Sequence, residues 1–516
     1  MIRLLQVPIE QLLQDRWNRI DQAQRRALLV TAVVSLLAFG FEMTNLTLHH
    51  DDLTHLMVQK PLVGYYLGRF VHSWIFFYAL QGHFAPFLHM ALGMLLMCAY
   101  GLLVANFWGA RRTLDIALVA TILCVFPYMA HVYQYNSVMV AYPLAHLLAA
   151  AAVVVAARAR AITLALAALL FFVAFSIYQA VLANAVTILL AWLLTQTLFA
   201  PELNRPALRA IGRSAMATVV AIAVGGILHV FAVSLLDIHF DSAHGADQAF
   251  SLGSRLEHGL RFSHAVSEVL RGSRAFFVWP EAYLPQPLKV LHGLLLAAAA
   301  LSCLLVSRSL PARISALTLL GLVVLSPRTL QFLHPAGSFH VLTLTGYALT
   351  IALAVLVILK CSRTLIRNGS AVAAVFLVAG YTMQCSWIST VNHLNTLAHY
   401  ATLTQILARL RAIPESSWDG KTVAVVGSYA MPSDFPFRPS TGVANNYMTP
   451  GHMNLLARLM RDEVKFVRAD ATLPKVLEYA AVHGAWPHPS SVGVVDGMGV
   501  IVFSSPTQGA TTVPSN

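Results

Sequence analysis

The chain has 516 residues, of which 58% are apolar and only 11% charged, less than half the roughly 25% charged that is usual in soluble domains. With a mean hydropathy of +0.68, this composition excludes a water-soluble globule and predicts a polytopic α-helical membrane protein. The net charge of +12 on so lipophilic a chain points to basic membrane-facing loops before it points to nucleic acid. The five cysteines lie in or beside apolar runs without C-x-x-C spacing, which speaks against disulfides and a thiolate metal site.

In chain order, a charged N-terminal segment leads into an apolar run at 27–48 that is too long for a cleaved signal and reads as the first span. Further runs able to cross ~30 Å of hydrocarbon occupy 84–107, 114–130, 138–157, 162–178, 180–199, 214–236, 289–307, 314–332, 339–360 and 371–390, about eleven transmembrane helices in all. The fifth and sixth are divided at Ser176-Ile177-Tyr178-Gln179, because their joint run is too long for one untilted helix. Two segments read as interfacial helices: 62–80, rich in aromatic residues around Gly68-Arg69, and an amphipathic stretch within 237–286. From residue 391 the lipophilic character ends. Strand-like runs (Thr422 to Gly427, Ser491 to Val495, Gly499 to Phe503) mix with helix-like ones (Leu394 to Arg411, Leu473 to His483), which predicts a small soluble α/β or α+β domain over 391–516 behind a transmembrane domain over 1–390.

Charge orients this arrangement. Arg3, Arg16, Arg19, Arg25 and Arg26, then Arg111, Arg112, Arg158, Arg160, Arg205, Arg209, Arg213, Arg308, Arg313, Lys360, Arg363 and Arg367 all fall on one side, and with the acids beside them these segments account for the whole net charge of +12. The positive-inside rule makes that side cytoplasmic. The N-terminus is therefore expected in the cytoplasm and the C-terminal domain outside, which in a bacterial inner membrane is the periplasm.

The first outer loop reads His49-His50-Asp51-Asp52-Leu53-Thr54-His55. Adjacent carboxylates at a membrane surface are costly unless paired, ligated or used. One could serve as general base toward an acceptor hydroxyl; Asp52 is equally suited to N-cap a helix starting at Leu53. Asp51 and His55 at i, i+4 would share a helix face and, with His50, offer ligands for a divalent metal ion, although no second ligand pattern occurs elsewhere. A Gly-rich nucleotide cradle is absent.

A span followed by an outer Asp51-Asp52 pair and by Gly68-Arg69 opening an aromatic helix resembles the type II O-antigen glucosyltransferases (Gtr) of serotype-converting bacteriophages, within the GT-C class of polyprenyl-phosphate-sugar enzymes. Phe126-Pro127-Tyr128, Tyr133-Gln134-Tyr135-Asn136, Ser176-Ile177-Tyr178-Gln179 and Ser491-Val492-Gly493-Val494-Val495-Asp496-Gly497 extend the likeness. The resemblance implies a membrane glycosyltransferase that moves a hexose, glucose by family, from a polyprenyl-phosphate-linked donor to a lipid-linked or surface glycan such as O-antigen. It makes one of Asp51 and Asp52 the base, and Asp52 is favoured as nearest the following helix.

The leaving lipid phosphate needs fixed positive charge rather than an acid. Arginine supplies it through a bidentate fork, and the candidates are Arg69, Arg274 and Arg328, each also able simply to anchor at the headgroups. Tyr133, Tyr135, Asn136, Tyr178, Gln179, Trp279 and Glu281 are candidates for the sugar and acceptor pocket; the tyrosines and Trp279 equally suit an interfacial aromatic belt. Two other classes compete. In a flippase or transporter of lipid-linked sugars, polar residues within the spans would line a path and no outer carboxylate would be essential; an O-antigen polymerase or ligase would typically use a large outer loop rather than a first-loop Asp pair.

Overall fold

The computed structural model describes residues 20–49, 52, 67–199, 204–236, 238, 262–279, 281, 283–307, 309–332, 341–360, 363–414, 418, 420–430 and 447–504. The chain order is α1 (Gln22–Thr44), α2 (Phe70–Trp74, continued by a π-helical turn Ile75–Ala79), α3 (Pro86–Phe107), α4 (Thr113–Val125), α5 (Pro127–Tyr133), α6 (Ala141–Ala156), α7 (Ala161–Ile177) and α8 (Val181–Phe199). There follow α9 (Arg205–Leu235), α10 (Phe262–Val278), α11 (Gln286–Val306), α12 (Leu310–Leu325, continued by a 3-10 turn Ser326–Phe332), a 3-10 turn Val341–Leu344, α13 (Gly346–Leu359) and α14 (Thr364–Arg411).

Among the described residues, eight helices are long and apolar enough to cross a membrane, and a ninth span forms if α4 and α5 are taken as one bent by 48°. The bend sits at Phe126-Pro127, where proline supplies no N–H to continue the ladder and opens the next helix instead. α6 and α7 are apolar but only 16 and 17 residues long. The expected break between α7 and α8 is present: Tyr178 is extended (φ −156°, ψ 103°). Helix starts follow local chemistry, as where Asn204 accepts from the Ala207 amide with Pro206 in the first turn.

α1 packs on α3, α4 and α14, while α7 lies between α6 and α9. The close approach of α7 and α9 needs Gly225, where a Cβ would stand 2.6 Å from that of Phe171. α13 is the centre of the bundle, with every one of its residues buried and neighbours in α4, α8, α11 and α14.

α14 departs from expectation. The sequence reading ends a span at 390 and begins a separate helix at Leu394, whereas a single 48-residue helix runs through both, so the expected boundary at 390/391 falls inside it. Hydropathy drops there because the surroundings change, but no proline interrupts the stretch, and the buried face continues through Val391, Asn395, Thr402, Ile406 and Leu410.

The last part of the chain forms β1 (Thr422–Val426), β2 (Tyr429–Ala430), β3 (Tyr447–Met448), α15 (Pro450–Leu459), β4 (Lys465–Arg468), α16 (Pro474–Val482), β5 (Val492–Val495) and β6 (Met498–Val502). The main sheet has the order β4-β1-β6-β5, parallel except for the β5/β6 hairpin, and β2 pairs with β3 separately. Side chains alternate along β1. Val423 and Val425 join a core with Leu403, Ile406, Leu407 and Leu410 of α14, and Ala424 and Val426 join one with Val476 and Ala480 of α16. The end of α14 is thus part of the sheet's own core. The predicted strands and the helix near Leu473 are observed; α15 and β4 were not foreseen, their apolar residues being few and interleaved with charge.

Candidate functional site

At the sheet-side end of the bundle, three groups of polar side chains gather. The first surrounds Asp52. Its side chain is buried, with Oδ2 accepting from the His49 amide (3.2 Å) and from Asn136 Nδ2 (2.9 Å) and Oδ1 from the Ser137 amide (3.4 Å). Asn136 Nδ2 also donates to the Thr47 carbonyl at 2.8 Å, tying the loop that follows α1 to the segment before α6. The Thr47 hydroxyl donates in turn to the buried carboxylate of Glu42, in the last turns of α1. The Tyr135 ring lies against His49 at a tilt of 40°, centroids 3.9 Å apart.

The second group is built on Arg69, which precedes α2. Its Nε donates to Gln179 Oε1 (3.3 Å) and its NH1 to the Tyr142 hydroxyl (2.7 Å). Tyr142 and Tyr178 stack at 3.9 Å, and the guanidinium lies 5.3 Å from the Tyr178 ring. Gln179 Nε2 donates to the Leu67 carbonyl, so the extended break between α7 and α8 holds the start of α2. Both ends of the Gln179 amide and two faces of the guanidinium are thereby fixed.

The third group joins α10, α11 and α13. Arg328 Nε donates to the Tyr347 hydroxyl at 3.0 Å, and Tyr347 donates to Ser273 Oγ at 3.2 Å. The guanidinium rests on Gly272, where a Cβ would come within 2.3 Å of it. Phe276 stacks on Tyr347 at 3.7 Å. Beside them Glu281 Oε1 accepts from Tyr128 Oη (2.5 Å) and pairs with Lys289 Nζ (3.1 Å), whose side chain is 1% exposed and also donates to the Trp279 carbonyl (2.5 Å). A buried ammonium is tolerable only with such partners.

Contacts close these groups into a circuit. His72 Nε2 donates to the Ser137 carbonyl and its ring meets Tyr142, linking the first group to the second. From Tyr142 the path continues through His146, whose Nδ1 donates to the Tyr142 carbonyl and whose Nε2 accepts from Thr345 Oγ1, two residues before Tyr347. Tyr283 Oη lies 2.6 Å from His131 Nδ1, and the His131 ring meets Tyr135, which returns to the first group.

Of the residues expected from sequence, Asp52, Asn136 and Tyr135 come together, as do Arg69, Tyr178 and Gln179, and Arg328 with Glu281. Tyr133 instead turns into the bundle against Phe39, because α5 presents it toward α1. Trp279 contributes its carbonyl while its ring is exposed, and Arg274 is exposed and joins none of the groups among the described residues. Asp51, His50 and His55 lie outside the described residues; among the described residues no three His, Cys, Asp or Glu side chains are placed to hold a metal ion. Glu42, Lys289, Tyr142, His72 and Tyr347 are not among the residues expected from sequence, and Tyr128 is there only as part of the Phe126-Pro127-Tyr128 motif. The signal for Glu42 and Lys289 was available, as single charges inside or at the edge of apolar runs.

Helices apolar enough to span a membrane, with carboxylates and anchored arginines at one end of the bundle, define a membrane protein with a polar site there. The chain belongs to a family of glucosyl transferases: the family model described as "Glucosyl transferase GtrII" matches residues 40–358, from the end of α1 that carries Glu42 to the end of α13. The C-terminal motif Ser491 to Gly497 lies beyond that match. No curated protein and no solved structure matches the chain.

Proposed function

We propose that the protein transfers a hexose, glucose by its family, from a polyprenyl-phosphate donor to a lipid-linked or surface glycan such as O-antigen, by a GT-C-type reaction. The acceptor hydroxyl oxygen attacks the anomeric carbon, the bond from that carbon to the phosphate oxygen breaks, the hydroxyl proton passes to Asp52, and polyprenyl phosphate leaves. One displacement inverts the anomeric centre. The observation that carries this reading is the buried Asp52 carboxylate, joined to an immobilised Arg69 through Ser137, His72 and Tyr142. Arg69 and Arg328 bind the phosphate, each oriented by a tyrosine hydroxyl. Tyr135, Asn136, Tyr178, Gln179 and Glu281 face the sugars, and Arg274 is left out because it joins none of the groups.

In the same reading the eleven helical segments all span a bacterial inner membrane, α6 and α7 included. The N-terminus is then cytoplasmic and the sheet is a periplasmic domain. The test uses membranes containing the protein and labelled polyprenyl-phosphate-glucose. Transfer to endogenous glycan is expected from the wild type and should fall at least a thousandfold in Asp52→Asn at equal expression. Undiminished transfer by a variant carrying both Asp51→Asn and Asp52→Asn would remove the base.

A further inference from the structure

The part of α14 between the bundle and the sheet carries polar side chains where a packed helix face is normally apolar. Ser389, Asn392, Asn395 and His399 recur at intervals of three and four, which places them on one face, and all are buried. Among the described residues, neither Nδ2 nor Oδ1 of Asn392 has a hydrogen-bond partner, and neither does Nε2 of His399. Buried amide groups left unmet carry a desolvation cost, and folded proteins satisfy nearly all of them. An unmet amide on a polar face leaves a donor and an acceptor open to a ligand.

Its location is defined by contacts at both ends. Ser389 lies against the Glu42 carboxylate, and the Phe41 ring meets His393 edge-on at 5.6 Å. Further along, Leu48 belongs to the cluster of Leu403, Ile406, Leu407 and Leu410. The segment from Glu42 to Leu48 therefore runs along α14 between these anchors, beside the stretch of helix that carries Asn392, Asn395 and His399, and Glu42 at its start lies near Asp52 as well as Ser389. The His399 ring meets His452 at 5.3 Å, extending the polar face onto α15 of the C-terminal part. The stripe holds no lysine or arginine, so it is unsuited to phosphate. Side-chain amides, which donate and accept together, match vicinal hydroxyls.

We propose that this stretch of α14 is the acceptor track, where Asn392 and His399 bind hydroxyls of the receiving glycan and lead it from the C-terminal sheet to Asp52. The assignment rests on the glycosyl-transfer reading for its direction, with the donor phosphate held on separate elements by Arg69 and Arg328. The test compares full-length wild type with Asn392→Leu and His399→Phe. Replacing an unpaired buried amide by an apolar side chain of similar size should leave thermal stability equal or raised. The KM for membrane glycan should rise about tenfold in each variant, with the KM for polyprenyl-phosphate-glucose unchanged. An unchanged acceptor KM, a change in donor KM alone, or a loss of stability in Asn392→Leu would each overturn the track.

Binding of lipid-free polysaccharide from the expressing strain to the purified protein, without donor, separates the two readings. Wild-type binding that Asn392→Leu weakens about tenfold, in a protein that does not use polyprenyl-phosphate-glucose, would retain the track and reject the transfer reaction. Transfer with equal binding by both proteins would reject the track alone.

Discussion

Asn136 has the most consequential hydrogen bonds of any single residue in the site, since one nitrogen serves both Asp52 and the Thr47 carbonyl. Asn136→Leu removes both and leaves two buried acceptors short of a donor, each loss costing about 1–3 kcal/mol. Glucose transfer by membranes should fall roughly 10- to 100-fold in kcat, a misaimed base, with donor KM nearly unchanged. Arg69→Lys keeps the charge but lacks the planar fork that holds Gln179 and Tyr142 at once; the donor KM should rise about tenfold or more, and equal kinetics would exclude Arg69 from the phosphate. Residues of this kind were legible where polar letters interrupt an aromatic or loop segment, as at Arg69, Asn136 and Gln179. Glu42 and Lys289 stand in the sequence as lone charges at apolar runs, but a hydropathy average hides a single charge among its apolar neighbours. Tyr142 and Tyr347 look like any aromatic in a span; the arginines on their hydroxyls and the stacked Tyr178 and Phe276 distinguish them.

At the level of elements, apolar runs translated into helices with small changes at their ends, since burying a backbone in lipid leaves few alternatives to a helix. What periodicity could not convey was continuity. α14 crosses from apolar to polar sequence without a break, and hydropathy records the surroundings rather than the backbone. Thr396→Pro, in the stretch between bundle and sheet, should break one turn at a cost of about 3 kcal/mol. Transfer should collapse while the protein still inserts, and intact transfer would show that an unbroken α14 is dispensable. Gly225→Val tests a different contact: with Phe171 and the Ala168 carbonyl already within 2.9 Å of the position of a Cβ, α7 and α9 must separate. A loss of about 1–3 kcal/mol is expected, seen as a lower unfolding temperature in detergent.

Across the whole molecule, the family match ends at residue 358, so the bundle with its three polar groups is what relates the chain to its family, and α14 with the sheet lies outside that match. The net charge belongs to this scale too. The arginines near the start of α1 and those at Arg111, Arg158, Arg313 and Arg363 fall at helix ends opposite the Asp52 group in the expected order of crossings. A reporter fused after Thr511 should therefore read out on the opposite side of the membrane from the N-terminus. Readout on the same side would overturn the count of eleven.

The unbroken α14 also has a mechanical meaning. At 1.5 Å per residue its 48 residues extend about 72 Å, against a hydrocarbon thickness of ~30 Å, so more than half its length lies outside the oily layer. Leu48 packs in one cluster with Leu403, Leu410 and Val423, so that outer length fastens the C-terminal sheet to the loop that leads from α1 to Asp52, and the two are held as one piece.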